Sequence, residues 1–350
     1  MAYKINNVDK IKDTKGSVTF KNVTVTNHYT FPAGIGTNTS NAYFAGARNI
    51  HSGSVASTIS KLPFASTAPA VYAGGLLTVA RGDAASSCSS THFYNSGGAT
   101  GTLPGTNVSN VIDKFAFATA TNATDVGDLN ANYYDLGGNQ DGSGAFSSKG
   151  FVCGGHTGPG LTTANAIDTF PFAADGNATD AGDLGTASRR HSSQSSESHA
   201  YSSGGYTGPG TSTQQNKIQK FLFSTSNTSV DVGDLTQARG CKGASSGTHG
   251  YAAGTFDSPY AIGNVTIDKF PFASDANATT VGNLGSDYGI IGAGNCACSS
   301  EDGYNAGGVK PPPYGFSIAS ILKFSFSSDG NSTNTSQLAY ANGGIPGHQG

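Results

Sequence analysis

The chain has 350 residues, 50 of them Gly, and a formal net charge of −3. Charged residues make up 12%, about half of the roughly 25% usual in soluble domains, so the surface must be built mainly from hydroxyls, amides and backbone. This composition excludes any general electrostatic attraction to nucleic acid or anionic membrane, and no apolar run approaches the ~18 residues needed for membrane insertion as a helix.

Residues 1–40 come first and do not share the pattern of the rest of the chain. They carry five Lys and two Asp. Their opening is polar and lacks the apolar stretch of a secretory signal, so the chain is expected either to be already processed or to be made and assembled in a cytoplasm. Ser17–Thr26 reads as one or two strands carrying Val18, Phe20, Val23 and Val25. A strand without a partner is a pairing edge, so this segment is expected to dock and anchor the chain on another protein or another copy of itself. The alternative is a strand laid along the flank of its own body.

From residue 41 onward one unit recurs six times. An Ile opens each copy and a Leu follows seventeen residues later: Ile59/Leu76, Ile112/Leu129, Ile167/Leu184, Ile218/Leu235, Ile267/Leu284 and Ile321/Leu338. Successive Ile residues lie 53, 55, 51, 49 and 54 apart. Repeats of roughly 50 residues point to propellers or solenoids. Within one copy, Gly240–Ser246 reads as a strand of small side chains suited to a crowded axis, and His249–Gly254 as a second strand. Ile267–Phe272 is a third, with Phe270 and Phe272 on one face and Ile267 and Lys269 on the other. An Asn/Asp turn leads to a short outer strand ending near Leu284. Four short antiparallel strands per unit make a propeller blade. Pro63, Pro171 and Pro271 cannot donate to a ladder and are expected at strand ends or bulges.

The second strand carries an aromatic three residues before a Gly in every copy: Tyr43, Tyr94, Phe151, Tyr201, Tyr251 and Tyr304. In four copies that Gly begins a Gly-Gly pair, at 97, 154, 204 and 307. Here the chain resembles the Kelch family, whose repeats carry a tyrosine-containing strand ending in Gly-Gly, then an apolar strand, a Trp and an Arg. Val126, Ala181, Val232 and Val281 stand at the Trp position, in a chain with no Trp at all, and Arg81, Arg189 and Arg239 at the Arg position. A solenoid needs polar caps, and the terminal copies here look like the others, which points to a closed ring. Residues 339–350 match the beginning of a first strand, which the Tyr43 copy lacks. The expected architecture is therefore an all-β, six-bladed, Kelch-like propeller over residues 41–350, closed by the C-terminal strand. The opening Met-Ala-Tyr-Lys-Ile-Asn and the block Ile267–Gly282 also resemble structural proteins of tailed marine phages, especially the fibres and appendages of cyanophages.

Little in the sequence offers chemistry. His92, His199 and His249 each lie two residues before the repeated aromatic, so they are copies of one structural position. Asp128, Asp183 and Asp234 precede the repeat Leu and read as turn caps. The five Cys (88, 153, 241, 296 and 298) have no zinc-type spacing and read as small buried hydrophobes. Gly-Pro-Gly at 158–160 and 208–210 lacks the Lys-Ser/Thr of a phosphate loop. Of ten Asn-x-Ser/Thr sites, several fall at the same hairpin, where turn chemistry accounts for them. No metal and no cofactor is expected.

Segments where the copies differ are the better recognition candidates, because shared residues build the blade. Tyr133, Tyr134, Arg189, Arg190, His191 and Tyr288 lie after the repeat Leu, and Tyr260 and Tyr314 in loops after the repeat Gly. Aromatics beside hydroxyls and amides suit sugar faces and protein anchors alike. The expectation is a non-enzymatic virion structural or adhesion protein, with other virion proteins, copies of itself or a cell-surface glycan as partners. A microbial surface or extracellular filament protein polymerising through its N-terminal strand is the alternative, and a Kelch-like carbohydrate-active enzyme a further one.

Overall fold

The computed structural model describes residues 10–12, 18–20, 40–48, 53–101, 107–119, 121–141, 147–158, 162–208, 213–225, 227–256, 265–285, 296–308, 318–338 and 347–349. Contacts divide the chain into two units, 1–30 and 31–350. In the first, Val18–Phe20 is paired antiparallel with Lys10–Lys12 in a small hairpin. The strand read from the sequence therefore has a partner inside its own unit. Val23 and Val25 lie outside the described residues.

The second unit is a six-bladed β-propeller, each blade an antiparallel sheet of four strands numbered outward from the axis. Blade two is Ala85–Cys88, His92–Ala99, Val108–Ala116 and Thr124–Asp128. Blade three is Gly137–Gln140, Lys149–Cys153, Ala166–Pro171 and Thr179–Asp183. Blade four is Ser192–Ser195, His199–Ser203, Lys217–Leu222 and Val230–Asp234. Blade five is Gly240–Ser245, His249–Phe256, Thr266–Pro271 and Thr279–Asn283, and blade six Ala297–Cys298, Asp302–Ala306, Ser320–Ser325 and Thr333–Gln337. Blade one joins both ends of the ring: Gly347–Gln349 pairs with Asn41–Arg48, followed by Val55–Pro63 and Val71–Leu76. The C-terminal strand closes the circle as its sequence match predicted. Three third strands end at Pro63, Pro171 and Pro271, where a missing donor costs the ladder nothing.

Both faces of each sheet are buried against a neighbouring blade, so the core consists of separate interface clusters. The two-residue strand period decides which side chain serves which interface. Ile267 faces blade six with Phe324 and Phe326, whereas Phe270 faces blade four with Tyr201 and Ile218. All six repeat Ile residues are fully buried, each contributing about 1.5–3 kcal/mol. The repeated aromatic of every blade stacks on a Phe of the next blade, at centroid distances of 4.5–5.0 Å around the whole ring, the last pair being Tyr304–Phe64. The repeated Gly after it adopts a left-handed φ of +63° to +72° in all six copies, which is why no other residue type stands there.

A backbone bond stitches each outer strand to the next blade: Ala123, Ala178, Ser229, Ala278, Ser332 and Ala70 donate N–H to Leu76, Asp128, Asp183, Asp234, Asn283 and Gln337 at 2.7–2.9 Å. The hairpin Asn residues do more than form their own turns. Asn122, Asn177, Asn277 and Asn331 each accept, through Oδ1, the N–H of Leu76, Asp128, Asp234 or Asn283 on the preceding blade at 3.0–3.1 Å. Asp128, Asp183 and Asp234 thus act across the interface through their backbones. The local side-chain caps come from Asp125, Asp180 and Asp231, which accept from Gly127, Gly182 and Gly233.

One repeat assignment shifts. Leu76 is 38% exposed and Leu77 is buried. The N–H of Leu77 bonds the carbonyl of Ser57, two residues before Ile59, as Leu129 bonds Asn110 and Leu184 bonds Asn165. Leu77 is therefore the equivalent core residue, and the first interval is one residue longer. The extra residue sits in the bulge of the outer strand, between the Thr58–Leu76 and Ser60–Tyr72 pairs.

Candidate functional site

Alternation of antiparallel strands puts the ends of the second and fourth strands on one face of the ring. That face carries the second-to-third connections and those entering each new blade. On the entries to blades two, three and four, Asp83, Asp135 and Arg190 hold the same position and share left-handed φ values of +54°, +59° and +51°. Asp tolerates this geometry; Arg does so only when its surroundings fix it. The backbone forms a staircase: Asp135 N–H donates to Asp83 at 2.8 Å, Arg190 to Asp135 at 3.0 Å, and Cys241 to Arg190 at 3.2 Å.

Ion pairs overlie that staircase. Arg48, at the end of blade one's second strand, pairs with Asp83. Asp135 takes Arg190 Nε at 2.7 Å and lies 3.7 Å from Arg189 Nη1. Arg189 stacks over Tyr206, 4.9 Å from the ring centroid, and donates Nε to the carbonyl of Gly208. Tyr134 and His156 pair as short strands Tyr133–Tyr134 and His156–Thr157, with the Tyr134 hydroxyl 2.9 Å from His156 Nδ1. Burial drives the Asp135 carboxyl upward, but Arg190, Arg189 and Arg48 together outweigh it and hold it below the ordinary range. Burial and then the charge of Arg189 lower His156 to about 4. Burial, reinforced by Asp135, lifts Tyr134 to about 12.

Three guanidinium groups against two carboxylates leave this cluster cationic, yet it is mostly closed to solvent. Arg48, Asp83, Asp135 and Arg189 are all buried. The cluster ties blades one to four together. Breaking a buried pair by removing one partner costs about 3–5 kcal/mol, so its evident physical effect is to fix the entries of successive blades. Lys242, on the innermost strand of blade five, is also buried and donates to the carbonyl of Ala306 on blade six at 3.3 Å. Burial pulls its ammonium below the usual lysine range.

Of the residues singled out from the sequence, Tyr134, Arg189 and Arg190 meet in this cluster. Tyr133 packs in the interface of blades two and three with Tyr94 and Val152. His191 is wholly buried, 3.1 Å from the Cys153 carbonyl and 2.9 Å from Ser202 Oγ, and burial lowers its pKa. These five positions are therefore packed side chains as they stand, with only Arg190 partly open. Tyr260, Tyr288 and Tyr314 lie outside the described residues. His92, His199 and His249 occupy one repeated position, each ring Nδ1 2.8 Å from the preceding hydroxyl. All five Cys are free and buried.

Sequence reasoning passed over the acids directly after the repeat Ile. Asp113 pairs with Arg81 at 3.1 Å and Asp268 with Arg239 at 3.0 Å, every partner almost fully buried. Arg81 and Arg239 thus bind an acid, while Arg189 turns to Asp135. The reason is local: blade four has Gln219 where blades two, three and five have Asp. An acid next to a core Ile in a strand buried on both faces was the available signal, because such a carboxylate needs a partner.

No protein-family model and no curated protein matches this chain. Its character therefore rests on the ring itself. Among the described residues, no group of three or more His, Cys, Asp and Glu side chains is arranged to hold a metal, and no helix is long and apolar enough to cross a membrane.

Proposed function

We propose that this chain is a non-enzymatic structural or adhesion protein of a phage particle, a rigid ring carried on a tail fibre, appendage or capsid. The observation that carries this reading is where the shared residues go. The repeat Ile, the aromatic, the Phe-x-Phe pair and the hairpin Asn are all consumed in blade interfaces. Recognition is then left to the segments that depart from the repeat, and the strands on either side of Tyr260, Tyr288 and Tyr314 have their nearer ends on the face of the ion cluster. A surface poor in charge and rich in hydroxyls, amides and aromatics suits a glycan or another virion protein. The Kelch-like pattern and the phage-like opening and repeat block support the same placement, as does a polar N-terminal unit available for anchoring. In the host cytoplasm such a chain folds and joins the particle.

Two measurements test this. Mass spectrometry of purified particles should detect the chain at structural stoichiometry. A glycan array probed with the full chain should give binding that Tyr260→Ala, Tyr288→Ala and Tyr314→Ala together remove while thermal stability is kept. Absence from particles would overturn the virion reading; binding unchanged by the triple substitution would overturn the assignment of the face.

A further inference from the structure

Among the described residues, five large apolar side chains are exposed, and three of them lie on the outer strand of blade one, Val71 and Tyr72 at 56% and 50% with Leu76, while Val79 follows on the connection to blade two. Val71–Leu76 is the outermost strand of its sheet, so one row of its backbone groups faces outward. At the ladder position of Tyr72 the other outer strands carry charge or hydroxyl and amide groups: Asp125, Asp180 and Asp231 on blades two, three and four, Thr280 on blade five and Asn334 on blade six. Charged residues on an edge are what keep sheets from pairing edge to edge. Blade one lacks that protection.

A second departure adds to the first. Third-strand lysines on blades two, four and five reach an Asp on the next blade, Lys114 to Asp175, Lys220 to Asp275 and Lys269 to Asp329, and Lys323 on blade six pairs with Asp302 of its own blade. Lys61, opposite Val71 in the ladder, lies over the repeated Tyr of its own blade as Lys269 and Lys323 do, but has no such carboxylate among the described residues. No acid guards this edge from either strand.

We infer that the outer strand of blade one is a self-association edge, and that its occupant is the same strand of a second copy of this chain, paired antiparallel about a two-fold axis. Two observations choose this occupant. An antiparallel edge is complementary to itself, so one surface serves both partners, as a two-fold interface requires. And the described surface offers one other large exposed apolar side chain, Val230 on blade four, which is flanked by Asp231 and Asp234; pairing blade one there would bury those carboxylates against Tyr72, whereas pairing it with itself buries apolar groups against apolar groups. The axis must pass near Tyr72 and Ala73, because the backbone of Leu76 is already engaged by Asn122 and Ala123 of blade two. Four side chains and half a short strand cover less than the ~800 Å² per partner of a standard interface, so the dimer should be weak and concentration-dependent. This inference does not rest on the virion reading.

The test is sedimentation velocity of the full chain from about 1 to 100 μM, a range centred on the roughly micromolar affinity of a small interface. The expected result is a monomer–dimer equilibrium that Tyr72→Lys weakens at least tenfold, while Val230→Lys leaves it unchanged. Both substitutions are on exposed positions, and circular dichroism confirms that each variant folds. Because all five native thiols are buried, Tyr72→Cys introduces an accessible one, and mild oxidation should give a disulfide-linked dimer that Val230→Cys does not give. A wild-type chain that stays monomeric throughout, a dimer indifferent to Tyr72→Lys, or open-ended oligomers abolished by Val230→Lys would each overturn the inference.

Discussion

Asp113→Asn isolates the contribution of a buried ion pair, because it keeps the shape and removes the charge. Arg81 is fully buried, and its guanidinium is held by Asn95 Oδ1 at 3.0 Å, the Asn95 carbonyl at 2.9 Å and Asp113 at 3.1 Å. The Asp113 carboxylate also accepts from Thr78 N–H at 3.0 Å and Thr78 Oγ1 at 2.6 Å. Neutralising it leaves Arg81 with only neutral acceptors in a dry site, a loss of about 3–5 kcal/mol. The amide can accept at one oxygen only, so one Thr78 bond weakens by about 1 kcal/mol more. With an unfolding entropy near 2 cal/mol/K per residue, 4 kcal/mol in a ring of this size lowers the midpoint by roughly 6 °C. Thermal unfolding followed by circular dichroism reads this directly. Adding Arg81→Met should recover part of the loss, since it removes the buried charge that Asp113→Asn leaves unpaired. Asp168→Asn serves as the control: its carboxylate is held by Asn130 N–H and Nδ2 at 2.9 and 2.7 Å without an Arg, and burial raises its pKa. It should cost about 1–2 kcal/mol. Gln219 is the neutral version already present in blade four, accepting from Thr186 N–H at 2.7 Å. If Asp113→Asn costs no more than Asp168→Asn, or if Arg81→Met gives no recovery, the ion pair is not what stabilises that site.

Acid should weaken the ring partly through His156. Its folded pKa of about 4 lies below the ordinary 6.5, so the unfolded chain binds the proton first and stability falls as pH drops from 6.5 toward 4, by at most about 3 kcal/mol. Comparing the unfolding midpoints of the native chain and His156→Gln at pH 7 and pH 4.5 checks this: the native chain should lose more, and equal losses would show that His156 does not contribute. Ring closure can be tested by ending the chain at residue 346. Losing Gly347–Gln349 removes three paired positions from Asn41–Arg48, about 3 kcal/mol of ladder, and exposes a strand edge. Amide exchange in Asn41–Arg48 should rise selectively; protection equal to that of the intact chain would show that the circle is held shut without this strand.

The periodic part of this fold is readable because its residues answer to geometry that cannot vary. A Gly at φ near +66° and an Ile in a sheet buried on both faces tolerate no substitute, so they recur and announce the blade. The C-terminal match was readable for the same reason: a first strand has to be supplied from somewhere. What the sequence hid is of two kinds. The shift from Leu76 to Leu77 is concealed by two adjacent Leu residues and by a bulge, which absorbs an extra residue without changing the hydrophobic pattern. The pairing of Arg48 with Asp83, or of Arg190 with Asp135, joins residues 35 and 55 apart on separate blades, and nothing in local spacing records such a contact.

Differences among copies were expected to mark recognition, and burial divides them into two classes with different consequences. Tyr134, Arg189 and His191 depart from the repeat yet are buried; they differ because each blade entry meets a different neighbour, and a packed ion pair needs opposite charges on successive blades where a repeat would place equal ones. Asp83 and Asp135 carry the same sign at equivalent positions, and Arg190 at the third supplies the opposite charge that pairs with Asp135. The departures of Val71 and Tyr72 solve no such internal problem. They take hydroxyl and acid groups from a rim that has no need to lose them for folding, and they leave apolar groups in water at a cost of about 25 cal/mol per Å². A buried difference is explained by its neighbours within the ring; an exposed one calls for a neighbour outside it, and blade one is where the described structure asks for that neighbour.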